Sequence, residues 1–222
     1  MKATETLKKE WPILILLTLP FIASAFIWEQ VPETVPTHFN IHGEADDYGP
    51  KWMLLIMIPG IAVLTYLLMV FLPSIDPKRK IESTQKPIAG IRMVITLFFI
   101  ALYAVTVLIA MGKQVDINTF VTIGIGLLFM ILGNYMNSVK PNYFIGIRTP
   151  WTLEDPRVWK KTHRLGSKLW LLGGGMLILG QLLFGGNEVI SSTVIGVVIV
   201  PLAVIPIVYS YILFKKLEDS DD

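Results

Sequence analysis

The sequence predicts an all-α membrane protein with six transmembrane helices and both termini in the cytoplasm. Three observations predict it. Apolar residues fall in blocks of about twenty, the length a helix needs to cross roughly 30 Å of hydrocarbon. Of the 222 residues, 53% are hydrophobic and only 16% charged, leaner in charge than a soluble domain. The cations between the blocks divide sixteen to two between alternate connections.

The spans are Trp11–Trp28, Trp52–Leu72, about Pro87–Met111, about Phe120–Met136, about Lys168–Phe184 and about Val189–Phe214. The first follows Lys2, Lys8 and Lys9 and runs to Ala23-Ser24-Ala25, which imitates a signal peptide. Because further spans follow, an uncleaved signal anchor is the better reading. Pro12, Pro20, Pro59, Pro201 and Pro206 lie inside spans and should kink them, which is tolerated where neighbouring helices take up the freed carbonyls. Gly173-Gly174-Gly175 and Gly180 in the fifth span predict close helix–helix approach.

Orientation follows from the cations. Lys78, Arg79, Lys80 and Lys86 follow the second span, and Lys215 and Lys216 follow the sixth. Lys140, Arg148, Arg157, Lys160, Lys161, Arg164 and Lys168 follow the fourth. With the three N-terminal lysines these define the cytoplasmic side, leaving Lys51 and Lys113 outside. Arg92, near the cytoplasmic end of the third span, is expected to snorkel to the headgroups. The chain divides at about residue 75: an N-terminal membrane domain (1–75) with an external acidic loop (29–51), then a four-helix membrane domain (76–222) with a cytoplasmic basic loop (138–168).

The external loop holds Glu29, Glu33, Glu44, Asp46 and Asp47 against one lysine. His38 and His42 stand four apart beside three of these acids and offer a divalent metal two nitrogens if the segment were helical. Pro32, Pro36, Asn40, Gly43 and Gly49 favour turns and extended chain instead. Alternation through Thr37, Phe39 and Ile41 fits a short strand with His38 and His42 on one face. The loop is either a lid packed on the bundle or a recognition surface for a cationic or amphipathic peptide, with His38, Phe39, Asn40, His42, Glu44, Asp46 and Asp47 as contacts.

In the cytoplasmic loop Asp155 can cap a helix whose first position is Pro156. Trp159, Thr162, His163 and Gly166 then share neighbouring faces, an amphipathic helix at headgroup level leading into the fifth span. It either lies at the interface or serves as a docking platform for a cytoplasmic partner.

No Asp or Glu falls within the six spans, which removes the usual mark of a coupled transporter. Asn134 and Gln181 near helix ends can bond between helices. Without cysteine there is no disulfide framework or cysteine nucleophile. No nucleotide-binding glycine loop and no triad arrangement around His163 is evident. The sequence therefore predicts no enzyme, no cofactor beyond a divalent metal at His38 and His42, and no direct nucleic-acid contact. A metal-dependent membrane enzyme and a small-molecule transporter are the alternatives. An echo of Pro36-Thr-His-Phe39-Asn-Ile41 in Pro141-Asn-Tyr-Phe144-Ile-Gly146-Ile147 allows a weak 3+3 inverted repeat.

The stretch 133–166 resembles the motif of the SdpI family of bacterial membrane proteins through Gly133, Asn134, Lys140, Asn142, Gly146, Arg148, Thr149, Trp151, Thr152, Trp159, Thr162, His163 and Gly166. The stretch 31–52 resembles the uncharacterised domain that often precedes it, through Pro32, Pro36, His38, Phe39, Gly43 and Lys51. The resemblance implies a multi-pass protein of the bacterial cytoplasmic membrane that confers resistance to a secreted toxin peptide. It further implies a receptor that holds a cognate transcriptional repressor at the membrane when toxin is present. The motif residues Asn134, Asn142, Gly146, Arg148, Thr149, Trp151, Trp159, Thr162 and His163 are then the docking candidates.

Overall fold

The computed structural model describes residues 3–40, 42–71, 85–185 and 188–221. The expected basic connection after the second span lies largely outside them. In chain order the elements are α1 (Ala3–Lys9), α2 (Trp11–Ile27), β1 (Thr34–Phe39) and β2 (Ala45–Pro50). A π-helical stretch (Met53–Met57) leads into α3 (Ile58–Phe71), followed by α4 (Gln85–Ala110), α5 (Ile117–Met136), α6 (Pro150–Glu154), α7 (Pro156–Phe184) and α8 (Glu188–Asp221).

Among the described residues five helices are long and apolar enough to cross a bilayer: Met53–Phe71, Ile88–Ala110, Ile117–Met136, Pro156–Phe184 and Thr193–Ser220. α1 and α2, bent by 75° at Glu10, supply a sixth span if taken together. The bend has a local cause: Pro12 in the first turn of α2 has no N–H to continue the α1 ladder. Large apolar side chains such as Leu172, Leu179, Leu182 and Leu183 on α7 are exposed, as lipid-facing positions are. The chain is an all-α membrane protein, with one β-hairpin added.

The chain divides into two compact units, Met1–Phe71 with Arg92–Gly124 and Leu72–Ile91 with Ile125–Asp222. In the first, Val31, Val35, Leu54, Leu55, Tyr103 and Val107 form one apolar cluster, and Ile13, Leu17, Ala62, Tyr66 and Val70 another. Pro59 has no N–H for the Leu55 carbonyl four residues earlier, and Ser24 Oγ donates to that carbonyl instead at 2.7 Å. The same hydroxyl lies 2.7 Å from Tyr103 Oη, so one buried serine joins α2, the π-helical stretch and α4.

Arg92 departs from expectation. Its side chain is 5% exposed and does not reach outward. Nε donates to Glu10 Oε2 at 2.9 Å, Nη2 pairs with Glu10 Oε1, and Tyr66 Oη also donates to Oε2 at 3.1 Å. A guanidinium this close to apolar helices is stabilised by a carboxylate that shares its burial, so pairing replaces snorkelling.

In the second unit the glycines do what their spacing predicts. A Cβ at Gly174 would strike the Gly126 carbonyl of α5, one at Gly173 would meet Leu202 of α8 at 2.7 Å, and one at Gly180 would meet Val194 at 2.7 Å. Gly175 has nothing within 4 Å. Leu177, Val198 and Leu202 form the core between α7 and α8. The predicted entry helix leads into the fifth span without a break: residues 156–167 are the first turns of a continuous 29-residue α7. The two echoing stretches differ locally, since Pro36–Phe39 lies in β1 while 141–147 is an irregular loop.

Candidate functional site

The first candidate surface is the hairpin. β1 and β2 pair antiparallel, with irregular register between Pro36 and Phe39. Asn40 builds the turn: its Oδ1 accepts from the backbone N–H of His42 at 2.8 Å and of Glu44 at 3.1 Å. Gly43 takes φ 78, a left-handed conformation that glycine adopts without strain. His42 therefore sits in the turn beyond β1, and the expected single strand face carrying both histidines is not formed. His38 Nδ1 instead meets Asp46 Oδ1 across the hairpin at 2.6 Å. Among the described residues no three His, Cys, Asp or Glu side chains gather to hold a metal ion.

Glu44, Asp46 and Asp47 are exposed. The lone cation of the segment is not: Lys51 Nζ donates to the Trp28 carbonyl at 2.9 Å, pairs with Glu33 Oε1 at 2.9 Å and lies 5.2 Å from the Trp28 ring centroid. Lys51 thus ties down the hairpin base, and the outer edge presents carboxylates. The turn rests at its other end on α5, where a Cβ at Gly43 would meet Asn118 at 3.1 Å. Between these supports is a half-open cavity of about 360 Å³, walled by Thr37, His38 and Phe39 of β1, Met57, Thr106 of α4 and Val121 of α5, among others.

The second candidate surface is the polar segment before and within α7. Asn142 is 2% exposed and folds its own loop. Its Oδ1 accepts from the N–H groups of Phe144 (2.8 Å) and Ile145 (2.7 Å), while Nδ2 donates to the carbonyls of Lys140 (2.8 Å) and Ile145 (3.0 Å). Thr149 and Thr152 form a reciprocal capping box at the start of α6, and Thr149 Oγ1 lies 3.0 Å from Ser210 Oγ of α8. Thr152 Oγ1 donates to the Ile147 carbonyl at 2.9 Å. Trp159 Nε1 donates to the Val139 carbonyl at 2.9 Å.

His163 completes the fastening. The Ile147 N–H donates to its Nε2 at 3.0 Å, so the ring is neutral there and its proton lies on Nδ1, which donates to the Trp159 carbonyl at 2.9 Å. The ring also stacks on Trp159 with centroids 4.0 Å apart. Gly146 has φ 112, and a Cβ there would run into His163 Nε2. Only glycine lets the loop pass the imidazole this closely.

Asn142, Thr149, Thr152, Trp159, Thr162 and His163 are therefore buried. Trp151 is half-buried against Tyr211, with centroids 5.0 Å apart. Asn134 and Arg148 are exposed, and Arg148 Nη1 donates to the Tyr143 carbonyl at 2.6 Å. The outward face of α7 carries exposed Arg157, Lys160, Lys161, Arg164 and Lys168 at three- and four-residue spacing. Asp155 caps this helix, its Oδ1 accepting from the Arg157 N–H at 2.6 Å. The Arg157 side chain, bonded to it, holds the Asp155 carboxyl below the usual carboxylate range.

Sequence reading missed the Glu10–Arg92–Tyr66 group and the Ser24–Tyr103 contact. An arginine within an apolar span does signal a required partner, but a partner 82 positions away leaves no local mark.

These elements define a multi-pass α-helical membrane protein with a buried polar fastening at the head of α7. The chain is 32% identical over 219 residues to the immunity protein SdpI of Bacillus subtilis (strain 168), spanning 96% of this chain and 100% of that one. A family model described as the SdpI/YfhL protein family matches residues 138–210, from the Asn142 loop to the Ser210 that meets Thr149. A second, described as a domain of unknown function (DUF1648), matches residues 15–63, which include the hairpin. The chain belongs to the SdpI family. A 49-residue stretch is 47% identical to an uncharacterized protein of Archaeoglobus fulgidus, covering 19% of this chain and 27% of that one. No solved structure matches the chain.

Proposed function

We propose that this protein is an immunity protein and receptor of the bacterial cytoplasmic membrane, giving resistance to a secreted toxin peptide and holding a transcriptional repressor at the membrane. The relation to the immunity protein SdpI along its whole length carries the reading. The split of cations puts both termini and the head of α7 inside and the hairpin outside. The hairpin's exposed carboxylates suit a cationic or amphipathic peptide arriving from outside. On the inner side the exposed cations of α7 are the contact surface for the repressor. The buried motif residues, from Asn142 to His163, act by fixing the shape of that surface.

Signalling then needs only differential affinity. Toxin favours one packing of the helices, and the repressor binds the inner surface more tightly in that packing. Expression of the chain in a toxin-sensitive strain lacking its own immunity gene tests the reading against a panel of Sdp-type toxin peptides. The chain should restore growth at concentrations that kill the vector control. Equal killing by every peptide, with the protein verified in the membrane, would refute it.

A further inference from the structure

The hairpin covers its cavity in a particular way. It is held at its base by Lys51, bonded to the Trp28 carbonyl and Glu33, and by Val35, which is fully buried. It is held at its tip by Gly43 against Asn118. The strand between these points forms one wall of the cavity, and residues of α4 and α5 form others. Its lining is mainly apolar and includes Met53, Leu54, Met57, Ile58, Leu102 and Val121. Thr106 does not present a free donor to it, because its hydroxyl bonds the Leu102 and Tyr103 carbonyls of its own helix. His38, on the wall, meets the exposed Asp46 carboxylate at 2.6 Å, and Glu44, two residues before Asp46, is also exposed.

We infer that this cavity is a peptide-reading site: it takes one large aliphatic or aromatic side chain, while a lysine or arginine beside that side chain pairs with Asp46 and Glu44. The inference rests on the immunity reading for the source of the peptide and adds the chemistry that selects it. The volume lies at the small end of the roughly 300–1,000 Å³ typical of small-ligand sites, so it admits a side chain or two and not a folded domain. Charge decides the rest. The segment 29–51 carries five acids, and its one lysine or arginine, Lys51, is buried and already paired. A cation next to the apolar group is therefore attracted to these carboxylates, and an anionic lipid headgroup is repelled by them.

The test uses the full chain in nanodiscs of zwitterionic lipid and two dansylated pentapeptide amides. One is tryptophan–leucine–lysine–leucine–lysine; the other replaces both lysines by glutamate. Empty nanodiscs give the background. The lysine peptide should bind saturably and at least tenfold more tightly than the glutamate peptide, and Glu44→Gln with Asp46→Asn should cost at least fivefold. The native chain has no cysteine, so Val121→Cys adds a single thiol on the cavity wall. Bound lysine peptide should slow its labelling by a bulky maleimide, and prior labelling should abolish peptide binding. Thr106→Cys serves the same purpose if the first variant does not fold.

Equal binding of both peptides, or binding that survives maleimide capping, would overturn the inference. So would a phospholipid found held in the cavity and undisplaced by peptide. Failure of protection with peptide binding and its blockage intact would overturn the immunity reading alone. Protection that persists when the capped cavity no longer binds peptide would overturn the cavity's role alone.

Discussion

Arg92→Met is the most informative single substitution in the first unit. Glu10 is 12% exposed on its side chain and accepts from three donors, two on Arg92 and one on Tyr66. Removing the arginine leaves a buried carboxylate with the tyrosine hydroxyl alone. Breaking one side of a buried ion pair costs about 3–5 kcal/mol, and Arg92→Met belongs in that range. Replacing both partners removes the stranded charge, so Glu10→Leu with Arg92→Met should fall within about 1 kcal/mol of the native chain. Glu10→Leu alone strands the guanidinium instead and should cost a similar amount, about 3–5 kcal/mol. The double-mutant cycle then gives a coupling energy of about 5 kcal/mol or more, well above the ~0.3–0.5 kcal/mol error of additivity. Tyr66→Phe should cost only about 1 kcal/mol, the worth of one hydrogen bond. Reversible unfolding in mixed micelles titrated with dodecyl sulfate, followed by tryptophan fluorescence, measures all four. If Arg92→Met costs under about 1 kcal/mol, or if the two single substitutions simply add, the pair does not hold α2 and α4 as described.

Three further substitutions address the other fastenings. Gly146→Ala places a Cβ against His163 at a φ that L-residues rarely adopt; backbone strain of about 1–3 kcal/mol, plus the displaced Ile147 hydrogen bond, should lower the melting temperature measurably. Ser24→Ala leaves the Leu55 carbonyl without its donor beside Pro59 and should cost about 1–3 kcal/mol in the same unfolding assay, whereas Ser24→Thr should cost less. Asp155 has its carboxyl lowered by Arg157, so its contribution to stability is complete above the ordinary carboxylate range and is lost as pH falls through the lowered value. Comparing acid unfolding of the native chain and Asp155→Asn should show that component missing in the variant.

The spans were legible because crossing a bilayer leaves a long, local pattern. So did the cap at Asp155 and Pro156, where the signal spans only a few residues. Gly173, Gly174 and Gly180 also announced their role, since a small residue in an apolar helix has few other uses. What failed to show were pairings made across the fold. Arg92 read as a snorkelling cation because nothing near it in sequence offers a charge, and Glu10 lies just outside the first span. His38 found Asp46 rather than His42 because the hairpin turn carried His42 out of the strand, a consequence of Asn40 and Gly43. The motif residues around Asn142 and His163 read as a docking surface by their polarity. The side chains of Asn142, Thr149, Thr152, Trp159 and His163 turned inward because each found a backbone group to satisfy, and the exposed cations of α7 were left as the surface.

The proposed contacts with toxin and with repressor both require the hairpin and the head of α7 to lie on opposite sides of the membrane. Glu44→Cys and Lys161→Cys, each alone in a chain without native thiols, allow this to be measured with an impermeant maleimide on intact cells. The account predicts labelling of the Glu44→Cys protein in intact cells and of the Lys161→Cys protein only after lysis. Labelling of Lys161→Cys in intact cells, with Glu44→Cys protected until lysis, would contradict it.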